Sequence, residues 1–307
     1  IHLQGRRTAP LFVSVLLHGN EDAGLKAIQA VLARYRSREL PRAVSLFVGN
    51  VQAAAQGLRR LDGQPDYNRV WPGAESATLP EHAMMREVVE QMRDRRVFAS
   101  IDIHNNTGLN PHYACLNRLD APFLQLATLF SRTVVYFKRP LGVQSAAFAS
   151  LCPAVTVECG KPGEQTGEEH AAAFVEAALH LEHLPAHPVP GQDIDLYHTI
   201  GIVKVPEEAS FTFGEGDAAI RFEAGLDHMN FRDLPAGTSI ARVAPHCPAP
   251  LQVIDEDGRE VSERYFEVRD GELRTRRAVM PAMLTLNARV IRQDCLCDLM
   301  ERLAVVD

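Results

Sequence analysis

A small set of side chains in the first half of the sequence has the types and spacing to do chemistry together. His18-Gly-Asn-Glu21 sets an imidazole and a carboxylate three residues apart across a tight turn. Gly19 lets the backbone fold sharply there, so both groups can face one point. His104 stands in Asp102-Ile-His104, at the end of a second apolar run. Zinc favours mixed nitrogen and oxygen donors, and a catalytic site takes three protein ligands and keeps one position for water. Glu158 closes Val155-Thr-Val-Glu158; a carboxylate there suits a general base for the water that such a metal acidifies. Asn68 and Arg69, in Asp66-Tyr-Asn-Arg69, pair an amide with a planar guanidinium, a combination that suits a carboxylate. Arg59 and Arg60, a few residues earlier, offer a cation for a developing oxyanion. Loop arginines are more often simply solvated, so spacing alone leaves these last roles open.

The elements that must position these groups follow from hydrophobic periodicity. Leu11–Leu17 is a continuous apolar run and reads as a strand; Asp22–Ser37 carries Leu25, Ile28, Val31, Leu32 and Tyr35 at helical spacing. Further strands are predicted over Ala43–Val48, Val97–Ile103, Val134–Phe137 and Ala154–Val157, and helices over Pro80–Arg95 and Glu168–Leu184. Fully apolar strands alternating with helices predict an α/β fold, a mostly parallel or mixed sheet flanked by helices. His18, Asn50, His104 and Glu158 each follow the carboxyl end of a predicted strand, the edge where ligands bind in open α/β sheets. Beyond the proline-rich stretch Pro185–Gly191 the texture changes to short strands over Tyr197–Val205, Ala219–Glu223, Ser239–Val243, Pro250–Ile254 and Tyr265–Val268, with a helix-like tail at Asp294–Leu303. This predicts two domains, residues 1–190 catalytic and residues 191–307 smaller and β-rich.

Bulk properties narrow the class. The 307 residues are 46% hydrophobic and 23% charged with a net charge of -7, which argues against a nucleic-acid partner. No apolar run is long enough to span a bilayer, and no signal peptide is visible, so no membrane partner is expected. The six cysteines are scattered in a chain of this size and suit a reducing, cytoplasmic compartment. Nothing in the composition speaks against a homo-oligomer. His112 lies near enough to His104 in sequence to line the same site.

At His18-Gly-Asn-Glu21, Asp66-Tyr-Asn-Arg69, Asp102-Ile-His-Asn105 and Val157-Glu-Cys-Gly160, taken in this order, the chain resembles the succinylglutamate desuccinylase/aspartoacylase family of zinc carboxypeptidase-like hydrolases. The resemblance covers most of residues 11–165. It implies one zinc per chain on His18, Glu21 and His104, Glu158 as general base, and Asn68 and Arg69 on the carboxylate of the substrate. It also implies an upstream arginine that polarises the scissile carbonyl: Arg60 fits best, with Arg59 as the alternative. The β-rich half resembles the family's C-terminal domain, which narrows access to the site. Aspartoacylases carry an arginine in the segment before the catalytic glutamate, whereas Gln144–Leu151 has none, which sets this chain apart from them. The implied activity is hydrolysis of the amide bond of a small N-acyl amino acid. A small-peptide metallocarboxypeptidase is the runner-up, and a non-catalytic metal- or ligand-binding protein is the rival from another class, against which the retained Glu158 speaks.

Overall fold

A computed structural model of the chain describes residues 1–245, 247 and 249–304. It divides into two units, one built mainly of Ile1–Asn105 and His112–Leu196, the other of Asn106–Pro111 and Tyr197–Leu303. Among the described residues no helix is long and apolar enough to cross a membrane.

The first unit contains, in chain order, β1 (His2–Leu3), β2 (Gly5–Val15), α1 (Ala23–Arg34), β3 (Leu40–Val48), α2 (Val51–Ala54), α3 (Pro80–Asp94), β4 (Ala99–His104), β5 (Tyr113–Leu116), α4 (Ala121–Phe130), β6 (Thr133–Tyr136), α5 (Gln144–Phe148), β7 (Ala154–Glu158) and α6 (Gln165–His180). Its strands lie in the order β1-β3-β2-β4-β7-β5-β6. The central pairs β2–β3, β2–β4 and β4–β7 are parallel, whereas β1 runs antiparallel to β3 and β5 antiparallel to β7. The large mixed sheet with flanking helices is the α/β architecture expected from the alternating pattern. Strand β5 and helix α4 fall where no periodic signal predicts an element; α4 is apolar almost all round, with Phe123, Leu124, Leu126, Ala127 and Phe130 buried.

Strand alternation sorts the central side chains by face. Val15 and Ile103 lie on the side of α1, where Gly24 approaches so closely that a Cβ would stand 2.9 Å from both. Ser14, Ser100, Asp102 and His104 occupy the opposite face. On that face Phe12 stacks on Phe148 of α5 at 4.5 Å between ring centroids, and Trp71 meets Phe148 edge-on. Polar groups on the inner face of a buried sheet are costly unless hydrogen-bonded. Their concentration on one face is what makes the site.

The second unit contains β8 (Asp195–Lys204), β9 (Phe211–Phe213), β10 (Ile220–Phe222), β11 (Ser239–Val243), β12 (Gln252–Asp255), α7 (Ser262–Tyr265), β13 (Phe266–Arg269), β14 (Glu272–Thr275), β15 (Met280–Ala282), α8 (Ala288–Gln293) and β16 (Cys297–Arg302). One sheet has the order β13-β14-β11-β10-β9. Elsewhere β8 pairs antiparallel with both β12 and β16, and β15 with β16. Its apolar core gathers Val203, Ile220, Phe222, Leu226, Val253, Leu273 and Leu299. The segment Asp294–Leu303, where a helix is expected, is not helical. Residues 297–302 form a strand, because the backbone groups of that segment are taken up by β8, with Cys297 opposite Val203 and Arg302 opposite Tyr197. Its leucine spacing imitates a helix, but tertiary pairing decides.

Candidate metal centre and active site

The centre is assembled from three turns of the first unit. After β2 the chain passes through Leu16 at φ 55°, a left-handed conformation uncommon for a side-chain-bearing residue. That kink turns His18-Gly-Asn-Glu21 back over the strand end. Gly19 is needed for closeness, and its φ is not positive: a Cβ on it would lie 2.2 Å from the Ala54 nitrogen in α2. The Gly19 amide donates to the Arg59 carbonyl at 3.0 Å, which fastens this turn to the loop that follows α2. The parallel register between β4 and β7 sets His104 directly beside Glu158.

His18, Glu21 and His104 offer ligand atoms that all lie within 4.8 Å of one another, and all three residues are buried. Nδ1 of His18 is 2.9 Å from Glu21 Oε1, and Nδ1 of His104 is 2.7 Å from Glu21 Oε2. The other nitrogen of each ring faces a carboxylate. His18 Nε2 donates to Asp66 Oδ1 at 3.0 Å, and His104 Nε2 donates to Asp102 Oδ2 at 2.7 Å. Such outer carboxylates fix the tautomer of a metal-binding imidazole and leave its inner nitrogen as the donor. The Asn105 backbone amide also points at Glu21 Oε2, at 3.3 Å. Two nitrogens and a carboxylate oxygen facing one point, each held from behind, form a donor set that fits zinc.

The charges are strongly coupled. Burial alone would depress the His104 imidazole, but the Asp102 and Glu21 carboxylates outweigh it and raise its pKa well above the usual histidine value. His18 is raised in the same way: burial and Arg59 pull down, and Glu21 and Asp66 prevail. Burial of Glu21 is overcome by the two imidazoles, which hold its carboxyl far below the ordinary range. Asp66 is likewise lowered, against burial, by His18, Arg59 and Arg69. The neighbouring carboxylates thus favour the charged form of both imidazoles, and the imidazoles favour the ionised form of Glu21.

The remaining sequence-predicted residues separate into those brought to this cluster and those that are not. Arg59 donates from Nη2 to Asp66 Oδ2 at 3.0 Å and reaches Glu21 Oε1 at 3.5 Å from Nη1. Arg60 turns away and donates to the Gln64 carbonyl at 2.8 Å. The arginine that faces the centre is thus Arg59, and Arg60 closes its own loop. Asn68 is buried, with Nδ2 3.4 Å from His104 Nε2 and Oδ1 accepting the Gln144 amide at 2.9 Å. Arg69 is half-buried, donates to the Asn68 carbonyl, and lies near enough to Asp66 to lower its pKa. Glu158 is 7% exposed. His112 packs among Phe130 and His170, with Nε2 3.1 Å from where a Cβ on Gly160 would stand. Asp66 heads a motif quoted from the sequence, but its part in bridging His18, Arg59 and the Asn68 amide is visible only in three dimensions.

Comparison with known proteins decides the family. Residues 9–184 match the succinylglutamate desuccinylase/aspartoacylase catalytic domain. This chain belongs to that family. Solved structures of similar fold include the succinylglutamate desuccinylase from Chromobacterium violaceum, 18% identical with a TM-score of 0.60, covering 98% of this chain and 87% of that one. Murine aminoacylase 3 is 15% identical with a TM-score of 0.63, over 98% and 97% of the two chains. The product-bound ectoine utilization protein EutE (DoeB) from Ruegeria pomeroyi is 17% identical with a TM-score of 0.62, over 97% and 87%. No curated protein sequence matches the chain. Membership makes this protein a deacylase-like hydrolase with the zinc-carboxypeptidase-like fold.

Proposed function

We propose that this chain is a zinc-dependent amidohydrolase that removes the acyl group from a small N-acyl amino acid. Residues 1–190 are the catalytic domain and residues 191–307 the β-rich C-terminal domain. The observation that carries the reading is the convergence of His18 Nδ1, His104 Nδ1 and the Glu21 carboxylate, with Glu158 beside His104 on the neighbouring strand. Those three residues would hold one zinc ion per chain, which would supply a Lewis acid and acidify water. Glu158 takes a proton from the attacking water and passes it to the leaving amine, which lets the C–N bond break. Arg59, a buried guanidinium aimed at the centre, replaces Arg60 as the cation that stabilises the developing oxyanion. Asn68 and Arg69 hold the free α-carboxylate of the substrate. The scatter of six cysteines along the chain suits a reducing cytoplasm.

The test is hydrolysis of a panel of N-acyl amino acids and short peptides by zinc-loaded and chelator-treated protein. Zinc-dependent release of the amino acid from acyl amino acids is expected. Release confined to peptides would favour a carboxypeptidase, and stoichiometric zinc without turnover on any substrate would leave a binding protein.

A further inference from the structure

Behind the candidate ligands lies a hydroxyl to which the motifs assign nothing. Ser14 interrupts the apolar run of β2, and strand register places it directly opposite Asp102 on β4. Both residues are 0% exposed. Ser14 Oγ donates to Asp102 Oδ1 at 2.6 Å, and the second oxygen of the same carboxylate, Oδ2, accepts from His104 Nε2 at 2.7 Å. The far side of that ring, Nδ1, is the atom turned toward Glu21. A chain of two short hydrogen bonds therefore runs from a buried serine, through a buried carboxylate, to the ring that must present its inner nitrogen.

A serine here costs the strand. Serine is a weaker strand former than valine, and a buried hydroxyl is unfavourable unless hydrogen-bonded. An apolar residue would serve the packing of β2 better. What the hydroxyl adds is geometric: with one oxygen held by Ser14, the plane of the Asp102 carboxylate is set, and the other oxygen points at Nε2. Outer partners of this kind govern the orientation and basicity of a metal-binding imidazole.

We propose that Ser14 is a positioning residue for the metal centre, acting through Asp102 to hold His104 with Nδ1 presented as a ligand. The inference rests on the reading of His18, Glu21 and His104 as a zinc site. The test measures zinc affinity of the full-length protein by chelator competition at fixed pH, together with the visible spectrum of the cobalt-substituted form, for wild type, Ser14→Ala and Ser14→Cys. Cysteine keeps the size and offers only a weak donor, and it serves should the alanine variant fold poorly. The expected result is a zinc dissociation constant raised by roughly tenfold, the lower end of what outer-partner losses cost, with altered cobalt absorption from the re-aimed ring. Wild type that binds zinc while both variants match it within about twofold would overturn the role of Ser14 and leave the zinc site standing. Weakened zinc with an unchanged cobalt spectrum would also overturn it, since that signals general loosening. Wild type that binds no zinc would remove the site reading and this inference together.

Discussion

At the scale of single residues, the proposed mechanism gives two glutamates opposite tasks. Glu21 is clasped between two imidazoles and held ionised, as a ligand must be. Glu158 stands one strand over, opposite His104 in register, and is the general base of the proposed reading. Glu158→Gln keeps volume and polarity but removes the base, so zinc content should stay at one per chain while kcat falls by roughly 10²–10⁴-fold. Elemental analysis alongside steady-state kinetics checks this, and a metal-free variant would reassign Glu158 as a structural or ligating group. The two adjacent arginines make a sharper comparison. Arg59→Ala should depress kcat by about 10²-fold, as loss of an oxyanion donor does. Arg60→Ala should change kcat by less than about threefold, because its guanidinium is engaged with the Gln64 carbonyl. Equal losses in the two variants would mean that the loop, and not one side chain, does the work.

At the scale of elements, the site depends on how closely the His18–Glu21 turn can approach α2. With a Cβ at Gly19 set to meet the Ala54 nitrogen at 2.2 Å, Gly19→Ala must push the two apart. Backbone, unlike a flexible side chain, cannot swing aside. A loss of stability of about 1–3 kcal/mol is expected from such overpacking, readable by denaturant unfolding. The same displacement would stretch the 3.0 Å bond from the Gly19 amide to the Arg59 carbonyl, so kcat should fall with stability. A variant of native stability and full activity would show that α2 shifts freely and that the close approach carries no constraint.

At the scale of the whole molecule, the proposed zinc site sets a metal and protons in competition for the same imidazole nitrogens. In metal-free protein the raised pKa of His104 and His18 contributes stability that is fully present below the unfolded histidine value, near pH 6.5, and is lost as pH rises through the folded values. The lowered pKa of Glu21 and Asp66 contributes stability above the unfolded carboxylate range that is lost as pH falls. The melting temperature of chelator-treated protein should therefore decline as pH rises past about 6.5. Zinc affinity should climb over that same interval, since each ligating imidazole sheds a proton on binding. Zinc in hundredfold excess over its dissociation constant should add about 2.7 kcal/mol of stability. A metal-free melting temperature indifferent to pH above 6.5 would contradict the coupled imidazole–carboxylate cluster.

Much of the first unit could be read from residue order. The largely apolar runs ending at His18, His104 and Glu158 already specified buried strands, because a strand covered on both faces carries few polar side chains. The groups those strand ends deliver were identifiable by type and spacing, and so was the β-rich character of the second half. Other features depended on contacts between residues far apart in the chain. Asp102 behind His104 could be anticipated from the alternation of one strand, but Ser14 behind Asp102 could not, because the pair is created by register between β2 and β4. The strand at Cys297–Arg302 carries a helix-like leucine spacing and becomes β only because β8 offers it an edge. Which of Arg59 and Arg60 faces the cluster was the least legible of all. Successive side chains leave a loop in different directions, and the partners that take them, Glu21 and Asp66 for Arg59 and the Gln64 carbonyl for Arg60, are met only in the folded chain.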